Sequence, residues 1–312
     1  MNYYKKVAIR AVLLLASLLA SGSQAIAQAT DWRHRALPML NASSKLLTSA
    51  DYHKEPVNLK TAKSNEKLVA VDSFKIAGES YYARRDKLNA PYYQSFASAP
   101  KKILLRLSAA KKLQDVNAKL APLGLELFLF DGFRPVSCQK DLWTYFLKRA
   151  KLALPKSSEV DQIAYASRYC SNPSRYESTD STTWPTHCTG GAVDLTLRRK
   201  VTGELLYMGS IFDDDSDVSH TDYFEVTKSK HTNSKPSCSD LEARANRRLL
   251  YWAMKSCDFE NYHYEWWHYD YGNQMWLMNK KIGCKKIDCN TQDSKNMESS
   301  AKTDQAFWGP AQ

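Results

Sequence analysis

Three short stretches of this chain carry residues suited to chemistry. In the run THCTGGAVD, His187 and Asp194 are separated by six residues that include the adjacent pair Gly190 and Gly191. Two glycines permit a tight turn, so His187 can fold back onto the segment that bears Asp194. In EWWH, Glu265 stands three residues before a second imidazole, His268, and in DGFRP, Arg134 sits on a predicted turn. Two imidazoles and one carboxylate suit zinc with a coordination position left open, the pattern of catalytic rather than closed structural sites. A glutamate beside a ligand histidine suits the general base that takes a proton from an activated water. An arginine approaching from another strand suits the oxyanion of a tetrahedral intermediate. Taken singly, each residue has an ordinary structural reading: a satisfied histidine, a surface carboxylate, a solvated turn arginine.

The elements that must position these residues follow from hydrophobic periodicity. Residues 101–121 place Leu104, Leu107, Leu113, Val116 and Leu120 at roughly helical spacing, ended by Pro122 and Gly124. The run 125–131, LELFLFD, reads as a buried strand that delivers the DGFRP turn, and a second helix is expected over 137–150. Residues 191–197, GAVDLTL, alternate: Val193, Leu195 and Leu197 share one strand face, and Asp194 lies on the other. Residues 239–256 predict a helix with a capping box from Ser239 and Glu242 and an apolar face of Leu241, Ala245, Leu249 and Trp252. The aromatic stretch around EWWH reads as strand, where residues three apart point to opposite faces. A bulge or strand end is therefore required between Glu265 and His268. Irregular interleaving of helices and strands predicts an α+β fold with a small antiparallel sheet.

In this order, DGFRP, HCTGGAVDLTL (HxxGxxxD), MGSIFDD and EWWHY resemble the D-alanyl-D-alanine dipeptidases of the VanX type, within the zinc D,D- and L,D-peptidases of the cell wall. The resemblance runs from about residue 100 to 275 and takes in the ANRRLL helix. It implies one zinc per chain held by His187, Asp194 and His268, Glu265 as catalytic base and Arg134 as the residue stabilising the transition state. It also implies that Asp213 recognises the free amino terminus of a dipeptide. The implied fold is α+β, a small central antiparallel sheet with flanking helices in a single zinc-peptidase domain. Two departures touch the substrate pocket. Residues 69–82 show no equivalent of the family's segment upstream of the DGFRP turn, and Pro185 stands where a small hydroxyl residue is expected.

Composition bounds the rest. The 312 residues are 43% hydrophobic and 25% charged with a net charge of +11, which fits a globular chain and excludes a disordered or collagen-like one. The basic residues are dispersed and no nucleic-acid-binding motif is visible, so no nucleic-acid partner is expected. Lys5, Lys6 and Arg10, then the apolar run 11–20, then Ala25-Ile26-Ala27, have the order of a secretory signal peptide over residues 1–27. The expected location is therefore the periplasm or the outside of the cell. The first cysteine is Cys138, so no lipid anchor is expected at the cleavage site. In an oxidising compartment most of the seven cysteines are expected to pair, one being left over. Cys284 with Cys289 could close a small loop, and Cys238 and Cys257 flank a predicted helix.

Residues 28–67 read as a loosely packed extension, 68–284 as the catalytic domain and 285–312 as a poorly ordered tail. The run DDDSD at 213–217 lacks the glycine and terminal glutamate of a calcium loop. Three functions are compatible with the residues. One is a dipeptidase acting on D-Ala-D-Ala. Another is a carboxypeptidase or endopeptidase trimming peptidoglycan stem peptides. The last is an inactive, zinc-retaining wall-binding module, which would have no need of Glu265 or Arg134.

Overall fold

The computed structural model describes residues 31–39, 51–167, 170–226, 235–286 and 305–311. Its strands are β1 (Leu68–Ala70), β2 (Ala77–Gly78), β3 (Leu104–Arg106), β4 (Leu125–Asp131), β5 (Ala192–Arg199), β6 (Glu260–Asn261) and β7 (His268–Asp270). The helices are α1 (Leu107–Leu120), α2 (Val136–Ala153), α3 (Glu159–Ala166), α4 (Cys238–Lys255) and α5 (Gln274–Lys286). A five-stranded sheet runs β2-β4-β5-β7-β6, and β1 pairs with β3 in a separate ribbon. Every neighbour in the larger sheet is antiparallel except β2 with β4, which is parallel. The fold is α+β, as the pattern predicts.

β5 is the middle strand of the larger sheet. Val193, Leu195 and Leu197 are fully buried on one face, and Asp194 and Thr196 are also buried on the other. α1 forms because Ala109, Ala110, Leu113, Val116 and Leu120 make a continuous buried stripe. It begins later than the periodicity predicts, since Leu104 belongs to β3 and pairs with Ala70. Its end is followed by Gly124 in the left-handed region at φ 68°.

α4 is displaced from its predicted capping and face. Ser237 and Asp240 form the capping box, two residues before the expected pair. Leu249 of the expected face is buried, but Leu241 is exposed, and the buried face otherwise comprises Ala243, Asn246, Arg247, Leu250, Ala253 and Met254. Two polar residues occupy that face because they bond loop carbonyls. Asn246 Nδ2 donates to Tyr207 O (2.9 Å), and Arg247 donates to Met208 O (2.7 Å), His220 O (2.6 Å) and Val218 O (2.7 Å). A hydrophobic pattern cannot register such a face.

Parts of the flanking segments pack into the core, against the expectation of a loose lead-in and tail. Trp32, Tyr52, Ala306 and Trp308 are all buried, and the Tyr52 hydroxyl donates to Trp184 O (3.0 Å). The expected disulfides are absent among the described residues: Cys138, Cys170, Cys188, Cys238 and Cys257 are free thiols. Cys238 opens α4 and Cys257 follows its end, so an 18-residue helix, about 27 Å long, holds them apart. The expected leader, residues 1–27, and a pairing with Cys289 fall outside the described residues. Among the described residues, no helix is long and apolar enough to cross a membrane.

Candidate active site

Strand register brings the predicted residues together. Asp194 on β5 lies directly opposite His268 on β7, so their side chains share a face at cross-strand distance. On the other side Asp194 is opposite Asp131 at the end of β4, where a register shift between Leu129 and Asp131 re-aims the strand. Asp131, Asp194 and His268 thus form one row across three strands. His187 arrives from the turn Thr186–Thr189, which closes on Gly190 at φ 73°. The two imidazole centroids are 4.9 Å apart.

The tension in EWWH resolves as a strand end. Tyr262 N donates to His268 O (3.0 Å) and Glu265 N to Tyr262 O (3.0 Å), so residues 262–267 form a tight loop joining β6 to β7. Glu265 sits in that loop rather than in strand, with Oε2 3.7 Å from His268 Nδ1. It lies beside the cluster without being one of its donors.

His187, Asp194 and His268 each offer one ligand atom, and these atoms lie within 4.8 Å of one another. The tautomers suit a cation as well. His187 Nδ1 lies 2.8 Å from Gly132 O, to which it donates, leaving Nε2 turned toward Asp194 Oδ2 at 3.3 Å. His268 Nε2 lies 3.0 Å from Asp270 Oδ2, and its Nδ1 is 2.9 Å from Asp194 Oδ1. Each ring therefore has an acceptor for its outer nitrogen and turns the inner one to the shared centre, the arrangement in which second partners orient metal ligands. Asp270 is fully buried and is itself held by Asn273 Nδ2 (2.6 Å). Replacing Asp270 with Asn should weaken divalent-metal affinity about 10- to 100-fold, measured by competition with a chromogenic chelator. Affinity within twofold of wild type would show that Asp270 does not orient His268.

The charges around this centre are strongly perturbed. Burial works against ionisation of Asp194, but His187 and His268 hold its carboxyl well below the usual carboxylate range. Burial pushes Glu265 up to about 6, and the charge of Asp194 adds to the effect. Burial likewise pushes Asp213 up to about 8, with Asp194 and Glu265 contributing.

Arg134 follows β4 and is buried beside the cluster. Nε and Nη2 both donate to Asp131 Oδ2 (2.9 and 2.7 Å), Nη1 donates to Gln139 Oε1 (3.0 Å), and Nη2 donates to the Tyr82 hydroxyl (3.1 Å). Nη2 is also 3.7 Å from Asp194 Oδ2. Asp213 has a left-handed backbone at φ 57°, and its Oδ2 accepts from both Tyr82 and Tyr92 (2.9 Å each). Arg247 braces the loop that carries it, through the three carbonyl contacts given above. Pattern reading missed Tyr82, Tyr92, Gln139 and Asp270. Asp270 had a signal, since residues i and i+2 of a strand share a face. The other three meet the site only through tertiary contact.

Two cavities meet here. An inner one of about 80 Å³ is lined by Tyr82, Arg134, His187, Asp194, Glu265 and His268, among others, with Pro185 at its wall. An outer groove of about 370 Å³ shares Phe146, Ser167, Asp213, Tyr262 and Glu265 with it and runs on along Asp214–His220 and Trp267. Cys188 is buried and is not one of the three clustered ligand residues.

A profile of the family described as D-ala-D-ala dipeptidase matches residues 65–288. The chain is 33% identical over 162 residues to a D-alanyl-D-alanine dipeptidase of Enterococcus faecalis, covering 52% of this chain and 70% of that protein. It is 33% identical over 167 residues to one of Enterococcus faecium, covering 51% and 69%. To one of Synechocystis it is 26% identical over 188 residues, covering 55% and 71%.

Proposed function

The chain belongs to the D-Ala-D-Ala dipeptidase family of peptidases, and on that premise we propose that it is an exported zinc enzyme that hydrolyses D-alanyl-D-alanine or a closely related D-amino-acid dipeptide. The observation that carries this reading is the convergence of His187, Asp194 and His268, with Glu265 beside them and outside the donor set. Two imidazoles and a carboxylate fit zinc, with room for a further ligand. When bound, zinc supplies Lewis-acid polarisation of a carbonyl and acidifies water.

The protein's own groups do the rest. Glu265 takes the proton from the attacking water and returns one to the leaving amine. Arg134, locked by Asp131 and Gln139, offers its remaining Nη1 hydrogen to the oxyanion as charge develops. Asp213 keeps Oδ1 free of hydrogen bonds to described residues, and that oxygen receives the substrate ammonium. A leader over residues 1–27 is part of the proposal, and recovery of protein beginning at Gln28 from outside the cytoplasm would support it.

A second reading, trimming of peptidoglycan stem peptides, is supported by the outer groove, since the inner pocket continues past Asp213 into space for a longer chain. The deciding experiment offers D-Ala-D-Ala and a stem pentapeptide to the purified mature protein, with and without a zinc chelator, and identifies products by mass spectrometry. Release of D-Ala from the dipeptide, lost with chelator, is the expected result. Cleavage of the pentapeptide alone would move the protein to the second reading, and cleavage of neither would overturn both.

A further inference from the structure

We propose that Tyr82 is a positioning residue that ties the transition-state arginine to the carboxylate at the substrate's amino end, so that the two grip a single substrate in register. The inference rests on the peptidase reading above and concerns residues for which that reading has no role.

The Tyr82 hydroxyl has one hydrogen to give and gives it to Asp213 Oδ2 (2.9 Å), while accepting from Arg134 Nη2 (3.1 Å). One oxygen atom thereby links two charged side chains that lie on different loops, and it has the polarity each partner needs. The Arg134 guanidinium also stands over the Tyr82 ring, 4.8 Å from its centroid. Tyr92 gives a second hydrogen to the same Oδ2 (2.9 Å). It makes no hydrogen bond to Arg134, so the two tyrosines divide their work. Both hold Asp213, and Tyr82 alone also holds Arg134. With Oδ2 occupied twice, Oδ1 is the oxygen left for a ligand.

The ring and the hydroxyl of Tyr82 are separable. Its ring packs edge-on against Tyr92 and Phe96 and beside Phe212, contacts that phenylalanine would keep. Its neighbour Tyr81 provides a control, because that hydroxyl donates to the backbone at Ala90 O (2.8 Å) rather than to either charged group.

The test compares Tyr82→Phe, Tyr92→Phe and Tyr81→Phe in the zinc-loaded protein, with metal stoichiometry measured for each. Tyr82→Phe should lower kcat about tenfold and raise KM about tenfold, since arginine and carboxylate both lose a tether. Tyr92→Phe should raise KM to a similar degree with kcat within twofold, and Tyr81→Phe should change neither. If Tyr82→Phe matches either of the other two variants, the proposal is overturned. Should the wild type cut only the stem pentapeptide, the same split is read on that substrate. If it cuts neither, the peptidase reading fails, and calorimetry with D-Ala-D-Ala decides the tyrosine question. Binding weakened at least threefold by both Tyr82→Phe and Tyr92→Phe supports the tether, whereas unaltered or undetectable binding refutes it.

Discussion

Glu265→Gln protein is expected to bind one metal ion per chain, as wild type does, and to turn over its substrate about 10²- to 10⁴-fold more slowly, the usual contribution of a positioned general base. The geometry separates the two readouts. The three donors come from β5, from β7 and from the turn at His187, while Glu265 comes from the loop between β6 and β7. Its carboxylate has no hydrogen bond to a described residue, and its position is set through the backbone. Glu265 N donates to Tyr262 O (3.0 Å), and Glu265 O accepts from Asn261 Nδ2 (3.0 Å). An amide of the same shape therefore leaves no buried partner stranded, and stability should stay within about 0.5 kcal/mol of wild type. Metal analysis, thermal melting and steady-state kinetics on one preparation check all of this. Activity near wild type with full metal content would exclude Glu265 as the base, whereas loss of metal together with activity would make it a ligand.

The site was legible in the sequence where chemistry is local. Alternation along β5 told that Asp194 leaves the apolar face, and Gly190 and Gly191 told that the chain turns back at His187. The misfit of a three-residue spacing with a strand told that a bulge or a strand end separates Glu265 from His268, and the strand end is the one present. What stayed hidden depends on distant partners. Tyr82 reaches Asp213 across 131 positions, from within the segment 69–82 that lacks the family's upstream pattern. Nothing about a tyrosine in a tyrosine pair reports whether its hydroxyl serves a backbone carbonyl, as in Tyr81, or two charged side chains, as in Tyr82.

The same limit explains the errors in the fold. Hydrophobic periodicity placed α4 within a residue at each end and put Leu249 inside, but set Leu241 on the buried face and missed Arg247 and Asn246, which are buried for their hydrogen bonds. Export logic made the cysteines look paired, yet burial explains at least three of them. Cys138, Cys170 and Cys188 are interior, and burial pushes each thiol up to about 12. Polar composition made the tail look loose, since a few core residues in a charged stretch do not lift its average.

That tail supplies the other large expected effect. Trp308→Ala should destabilise the protein by about 3–5 kcal/mol and lower its melting temperature by about 6–20 °C. Trp308 has no solvent exposure; its indole donates to Lys63 O (2.8 Å), and its ring meets Tyr271 edge-on at 5.3 Å. Space for it exists because residue 191 is glycine: a Cβ there would stand 2.7 Å from Trp308 Cε3. Gly191 in the chemically suggestive run thus serves two purposes, completing the turn after His187 and admitting the indole beneath β5. Neighbours of Trp308 brace the turn that carries His187. Ala311 N donates to Cys188 O (2.8 Å), and the Arg106 guanidinium clasps Thr189 O (2.8 Å) and Gly309 O (3.1 Å). Truncation after residue 304 should therefore lower metal affinity as well as stability, whereas Trp308→Phe, which keeps an aromatic ring in the space, should recover most of both. Calorimetric melting with and without zinc distinguishes the cases. A truncated protein that melts and binds metal like the full chain would mean that the tail merely rests on the core and has no part in holding His187.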